Sequence, residues 1–183
     1  MNLIDKRIQK MYDLDKTKFW PVGKQTGDLL TTLVSRIKAK KVLELGTSTG
    51  VSSLYMLKSI SANRGKLITV ESNYARYLIA LESFEETKMK KFILPIFDHA
   101  PECFDYLDLN DLDFCFTDCI KKQTLEVFKI IFPLLKSNAY FVVDNVLSHK
   151  EAMQDFYIYL KDHNINYDLY DFESGVIVIQ KVV

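Results

Sequence analysis

Apolar residues recur along the chain in two alternating rhythms. Short runs are apolar at every position or at every second one. They cover residues 41–45, 67–71, 92–96, 112–118, 139–144, 167–172 and 176–181, as strands do. Between them lie longer stretches whose apolar positions fall three and four apart. In residues 26–38, Leu29, Leu30, Leu33, Val34 and Ile37 share one face, the mark of an amphipathic helix. Helices are likewise predicted over 50–61, 74–88, 123–135 and 151–162, with Pro133 in the last turn of the fourth. Residues 2–19 carry a weaker stripe of Leu3, Ile4, Ile8 and Met11. That stripe can pack on the domain, on a second subunit or over a ligand.

Strand-like and helix-like segments alternate after residue 40, which predicts an α/β fold with helices flanking a parallel sheet. The expectation is a Rossmann-like, doubly wound, mostly parallel sheet of seven strands. Residues 173–175 are short enough for a hairpin, so the last strand should run antiparallel. Six glycines and four prolines leave no flexible linker, and no repeat is visible. Residues 1–183 are read as one domain, with 1–20 as a helical extension.

Composition narrows the partners. The 183 residues are 48% hydrophobic, and 24 Lys plus Arg balance 24 Asp plus Glu. A neutral chain argues against a broad phosphate-binding surface. Three cysteines, Cys103, Cys115 and Cys119, are too few for a disulfide framework. Cys115 and Cys119 have no neighbouring Cys or His cluster to make a thiolate metal site. The first ten residues, MNLIDKRIQK, lack the apolar core of a signal peptide, and no apolar run approaches a membrane span. A cytoplasmic protein without a membrane partner is expected.

Two constellations carry candidate chemistry. The first is VLELGTSTG at residues 42–50, a buried strand running into a glycine turn and then a helix. Gly46 permits the tight turn and a close backbone approach, and the helix N-terminus favours an anionic group. Glu71 closes the next strand. An acid there can accept both hydroxyls of a ribose. The three-glycine spacing of a dinucleotide site is absent. The second is Asp118 at the end of the fourth strand with Asp144 and Asn145 at the end of the fifth. These strand ends should be neighbours at the sheet's switch point. Two carboxylates and an amide oxygen there suit a hard cation such as Mg²⁺. Each aspartate alone would read as a turn residue or helix cap.

The stretch LELGTSTGVSSLYM, residues 43–56, resembles motif I of class I S-adenosylmethionine-dependent methyltransferases. It is most similar to the cation-dependent O-methyltransferases, the catechol and caffeoyl-CoA group with its small bacterial members. Residues 113–147, DFCFTDCIKKQTLEVFKIIFPLLKSNAYFVVDNVL, resemble that family's strand–helix–strand region. The resemblance implies that S-adenosylmethionine is held by Glu44, Gly46, Thr47, Ser48, Gly50, Ser52, Glu71, Ser72, His99, Ala100 and Asp118. It implies a divalent cation, Mg²⁺ or another, on Asp118, Asp144 and Asn145. Lys121 is implied as general base for an acceptor hydroxyl, with Asp118 beside it. On residues alone, Lys121 also reads as an exposed helix-start lysine and His99 as a surface loop residue. His149 and His163 read as helix-end or solvent residues.

The chain departs from the family at several places, among them Ile120 where relatives often carry an aspartate and Asp98 where they carry a glycine. Val51 replaces a tyrosine, residues 137–139 (SNA) replace a proline–glycine turn, and the insertion after the Asp–Asn pair is missing. That loss and a short N-terminal region predict an open acceptor site, with an acceptor larger or less enclosed than a free catechol, or with the missing wall supplied by the N-terminal segment or a second subunit. A small catechol-like or vicinal-diol acceptor is expected. A tRNA hydroxyuridine, drawn by Lys121, Lys122 and Lys150, and a non-catalytic binding module are the alternatives. The family is often dimeric, which leaves a homodimer open.

Overall fold

The computed structural model describes residues 2–14 and 19–182. Among the described residues, six α-helices and seven strands follow one another, with short 3₁₀ turns between some of them. They are α1 (Leu3–Asp13), α2 (Lys24–Arg36), β1 (Lys41–Leu45), α3 (Val51–Ala62), β2 (Lys66–Glu71), α4 (Tyr74–Glu86) and β3 (Ile93–Phe97). Then come β4 (Leu112–Thr117), α5 (Thr124–Ile131), β5 (Leu135–Asp144), α6 (Gln154–Asp162), β6 (Asp168–Tyr170) and β7 (Val176–Gln180).

The sheet order is β3-β2-β1-β4-β5-β7-β6. Pairing is parallel from β3 through β5, and β7 runs antiparallel to both neighbours. This is the expected doubly wound, Rossmann-like architecture. Chain order reverses between β1 and β4, so their C-terminal ends form the switch point at which such sheets open a crevice.

Strand alternation divides the core into two layers. Val42, Phe114, Phe116, Tyr140 and Val142 face α1–α4, whereas Leu43, Cys115, Phe141 and Val143 face α5 and α6. Helix α3 is buried from Val51 through Leu57 because α1 and α2 cover the side turned from the sheet. Helix α1 packs on the domain. Ile4, Ile8 and Met11 are buried, each contributing roughly 1.5–3 kcal/mol of apolar transfer. Arg7 is also buried. Its Nε donates to Ser83 Oγ at 3.0 Å and its guanidinium pairs with Glu86 at 2.7 Å. Lys58 pairs with Asp5 at 2.8 Å.

Local chemistry moved several boundaries. Residues 123–135 do not form one α-helix: Lys121–Gln123 and Phe132–Leu134 are 3₁₀ turns on either side of α5. Pro133 cannot donate a helical hydrogen bond, so the last turn tightens. Strand β5 begins at Leu135 rather than Ala139. Its polar opening, Lys136–Asn138, passes a register shift against β4 and was therefore hidden from an apolar pattern. Among the described residues, no helix is long and apolar enough to cross a membrane.

Candidate active site

A cavity of about 770 Å³ opens at the switch point, within the range of small-molecule sites. Gly46, Ser48 and Glu71 line one part of it, and Asp118, Lys121, Asp144 and Asn145 another. The described N-terminal residues supply a wall from Tyr12 and from Phe19 through Gly23, joined by Arg76, His149, Glu173 and Ser174.

The glycine loop is built from below. Gly46 has φ +98°, and a Cβ there would lie 2.6 Å from the Asp118 carbonyl oxygen. The turn after β1 and the end of β4 therefore touch only because that position is glycine. Gly50, at φ +88°, starts α3 without a side-chain cap. Beneath the loop lies Glu44, fully buried. Ser52 Oγ donates to its Oε1 at 2.5 Å, Thr69 Oγ1 to its Oε2 at 2.5 Å, and Ser53 to Oε2 as well. Thr69 has spent its proton, so Thr47 donates to Thr69 Oγ1 at 2.6 Å. Burial still outweighs these bonds and pushes the Glu44 carboxyl up to about 7.

Glu71 is held differently. Its two oxygens accept backbone amides, Ser48 at 2.7 Å and Asn73 at 2.7 Å. The carboxylate thus stays ordered at the cleft with lone pairs remaining for hydroxyl donors. Ser48 sits at φ +49° and its hydroxyl donates to the Phe19 carbonyl at 3.1 Å. That bond ties residues 19–23 over the loop. Tyr12 holds the same segment, donating to the Val22 carbonyl at 3.0 Å and receiving the Tyr55 hydroxyl at 3.2 Å.

The carboxylate cluster occupies the ends of β4 and β5. Lys121 pairs with Asp118, and its Nζ lies 3.4 Å from the Asp144 carbonyl oxygen. Asn145 Nδ2 donates to Asp144 Oδ2 at 3.0 Å, leaving the amide oxygen as an acceptor. Asn145 adopts φ +60°, a conformation asparagine tolerates. Burial first, and the Asp118 charge second, push the Asp144 carboxyl up to about 7. Two facing acids with one ammonium between them are short of positive charge. The oxygen-only donors fit a hard divalent ion with water or acceptor completing its shell. Among the described residues, no three His, Cys, Asp or Glu side chains group closely enough to hold a metal by themselves. A cation there would depend on Asn145 as third protein donor.

Of the residues expected around a cofactor, Gly46, Ser48, Glu71 and Asp118 meet in the cleft. Glu44, Thr47 and Ser52 lie beneath the loop, where their polar atoms are bonded to one another or to Thr69. Gly50 starts the helix behind them. Ser72, His99 and Ala100 do not line this cavity. His99 is exposed, and its amide donates to Asp98, which also accepts the Tyr106 hydroxyl. Burial pushes the Cys115 and Cys119 thiols up, against any thiolate site. His163 stacks on Tyr159 at the end of α6, as a helix-end residue.

The cleft also holds residues to which the sequence assigned no place in a site. Trp20 has φ +40° and is 68% exposed, with the Arg76 guanidinium 5.8 Å above its ring. Glu173 accepts from Gln25 N at 3.0 Å and Thr26 Oγ1 at 2.6 Å. It thereby caps α2, whose own N-cap is Gly23. His149 begins the 3₁₀ turn before α6 and faces the cleft. A lone Trp-Pro pair ahead of a helix was the one available signal for Trp20. Arg76 and Glu173 are brought in by packing alone.

Comparison with known proteins places this arrangement. A family model described as O-methyltransferase matches residues 4–164. Caffeoyl-CoA O-methyltransferase 2 of Petunia hybrida is 30% identical over 128 residues, covering 66% of this chain and 52% of that protein. Catechol O-methyltransferase of Mycobacterium tuberculosis is 25% identical over 126 residues, 69% of this chain and 57% of that one. The chain thus spans little more than half the length of these curated relatives. The SAH-bound methyltransferase PaMTH1 of Podospora anserina superposes with a TM-score of 0.89 at 17% identity, over 100% of this chain and 89% of that one. The O-methyltransferase TomG of Streptomyces achromogenes, in complex with SAM, gives 0.85 at 20% identity, over 100% and 91%. At such identities the structural likeness establishes the fold, and the family model reaches from α1 past α6. On that match the chain belongs to the O-methyltransferase family.

Proposed function

We propose that the chain is an S-adenosylmethionine-dependent, divalent-cation-dependent O-methyltransferase acting on a small catechol-like or vicinal-diol acceptor. The observation that carries this reading is one cleft shared by Gly46, Ser48 and Glu71 with Asp118, Lys121, Asp144 and Asn145. When bound, the sulfonium supplies an electrophilic methyl group and the cation eases loss of the acceptor's hydroxyl proton.

The chain's own residues do the rest. Glu71, fixed by two amides, receives the ribose hydroxyls. Asp118, Asp144 and Asn145 would hold the cation and with it the acceptor oxygens. Lys121 is the base for the released proton, a role that requires it to leave its pair with Asp118 and first give up its own ammonium proton. Residues 19–23 shield the reacting end from water on one side.

The acidic lining favours a small acceptor over tRNA. Glu71, Asp118, Asp144 and Glu173 face the cleft against Arg76 and Lys121, and Lys121 is already paired. Such a surface would repel a phosphate backbone. A cytoplasmic setting belongs to the same proposal.

The test is product formation from S-adenosylmethionine, Mg²⁺ and catechol, followed by mass spectrometry. Methylated catechol that disappears with chelator supports the reading. Turnover untouched by chelator removes the cation from it, and methylation of tRNA alone replaces the acceptor. Cofactor binding without turnover on any acceptor would favour a binding module.

A further inference from the structure

The charged groups lining the cleft have partners, with one exception among the described residues. Glu71 accepts two amides, Glu173 caps α2, Asp144 accepts from Asn145, and Lys121 pairs with Asp118. Arg76 enters no ion pair among the described residues. It stands in the first turn of α4, just after the Asn73 cap. A helix N-terminus is where the backbone dipole disfavours a cation. A cation placed against a local rule and without an anionic partner among the described residues points to a ligand rather than to folding.

Trp20 makes the second half of the case. Its ring lies under the Arg76 guanidinium, 5.8 Å from Cζ to ring centroid, and the side chain is 68% exposed. The backbone is at φ +40°, a region that bulky residues rarely enter. Little packing holds an indole so exposed, and cation–π contacts at exposed sites are weak. Such an outlier is best accounted for by what the side chain presents to the cleft.

We propose that Trp20 and Arg76 form an anion-recognising platform that selects a planar aromatic acceptor bearing a negatively charged substituent. The indole offers a flat apolar face for the ring. The guanidinium offers a planar fork of donors that matches a carboxylate with two parallel hydrogen bonds. Of the two Lys or Arg side chains lining the cleft, Lys121 is already paired with Asp118, so Arg76 is the one free to meet an anionic substituent. The word acceptor rests on the methyltransferase reading, whereas the binding preference stands independently of it.

The chain contains a single tryptophan, so intrinsic tryptophan fluorescence reports on Trp20 directly. The full chain is titrated with 3,4-dihydroxybenzoate and with catechol, in the presence of Mg²⁺ and S-adenosylhomocysteine. The carboxylated compound should bind about tenfold more tightly, as expected for one charge-assisted contact. Arg76→Gln should bring the ratio of the two dissociation constants to about one, and Arg76→Lys should keep part of it, since lysine has the charge without the fork. Equal binding by the wild type, or a ratio unmoved by Arg76→Gln, overturns the platform. So does a loss of S-adenosylhomocysteine affinity in Arg76→Gln with the ratio intact, because the guanidinium would then serve the cosubstrate. Preference without methyl transfer to either compound retracts the methyltransferase reading alone. Methyl transfer without preference retracts the platform alone.

Discussion

Glu44 and Asp144 end up with carboxyls pushed to about the same level, near 7, in two different surroundings. Glu44 is sealed under the glycine loop, and three hydroxyls spend their protons on its two oxygens. Asp144 is nearly as buried but faces the cleft, with another carboxylate beside it and the Asn145 amide as its side-chain donor. Desolvation leads in both. Glu44 is answered by neutral donors that complete a structural network, whereas Asp144 is left facing Asp118 with a shared shortage of positive charge. A buried acid with filled hydrogen-bond positions supports a fold; one with an unanswered neighbour awaits a ligand.

Substitutions should separate the two. Asp144→Ala should lower turnover about a hundredfold or more, as expected for loss of a charged group at the reacting end. Its melting temperature should hold, because a repelled buried carboxylate leaves with it. Loss of stability without loss of turnover would reverse the assignment. Glu44→Ala should do the opposite, costing about 3 kcal/mol in urea unfolding by stranding three buried hydroxyls and opening a cavity.

Both raised carboxyls carry a pH signature in the same window, and substitution at Glu44 isolates its share. Folded Glu44 keeps its proton up to about pH 7, whereas the unfolded chain releases it near its ordinary value. Its contribution to stability is therefore full below about pH 4.5 and is lost as pH rises through about 7. Denaturation midpoints measured from pH 4.5 to 8 should fall across that window in the wild type and stay flatter in Glu44→Gln. A slope identical in both would show that another group sets it. The smallest effect belongs to Glu173. Glu173→Gln weakens a tertiary cap on α2 and should cost about 1 kcal/mol, read by the same unfolding.

The contrast also marks what could be read from the chain beforehand. The strand–glycine–helix pattern, Glu71 and the strand-end acids were legible because each is a local signal tied to strand periodicity. Topology then brought Gly46 and Asp118 into contact without further information. Glu44 was visible as an acid, but its inward direction was not, since that depends on hydroxyls from α3 and β2. Trp20, Arg76, His149 and Glu173 come from four separate segments, and no spacing rule links them. Packing of α1 on the domain was one of three readings of its apolar stripe, and the choice was hidden because the stripe is completed by a buried arginine that reads as a surface residue. Residues 15–18 lie outside the described structure, so the part of the predicted 2–19 helix that falls there has no structural counterpart to compare.

The central claim is that Asp118, Asp144 and Asn145 hold a divalent cation. Electron paramagnetic resonance with Mn²⁺ as the spectroscopic ion measures this without any turnover. The wild type should bind one Mn²⁺ per chain, and Asp144→Asn should weaken that site by about tenfold or more. Absence of a stoichiometric site in the wild type, or equal binding by the variant, would contradict the account.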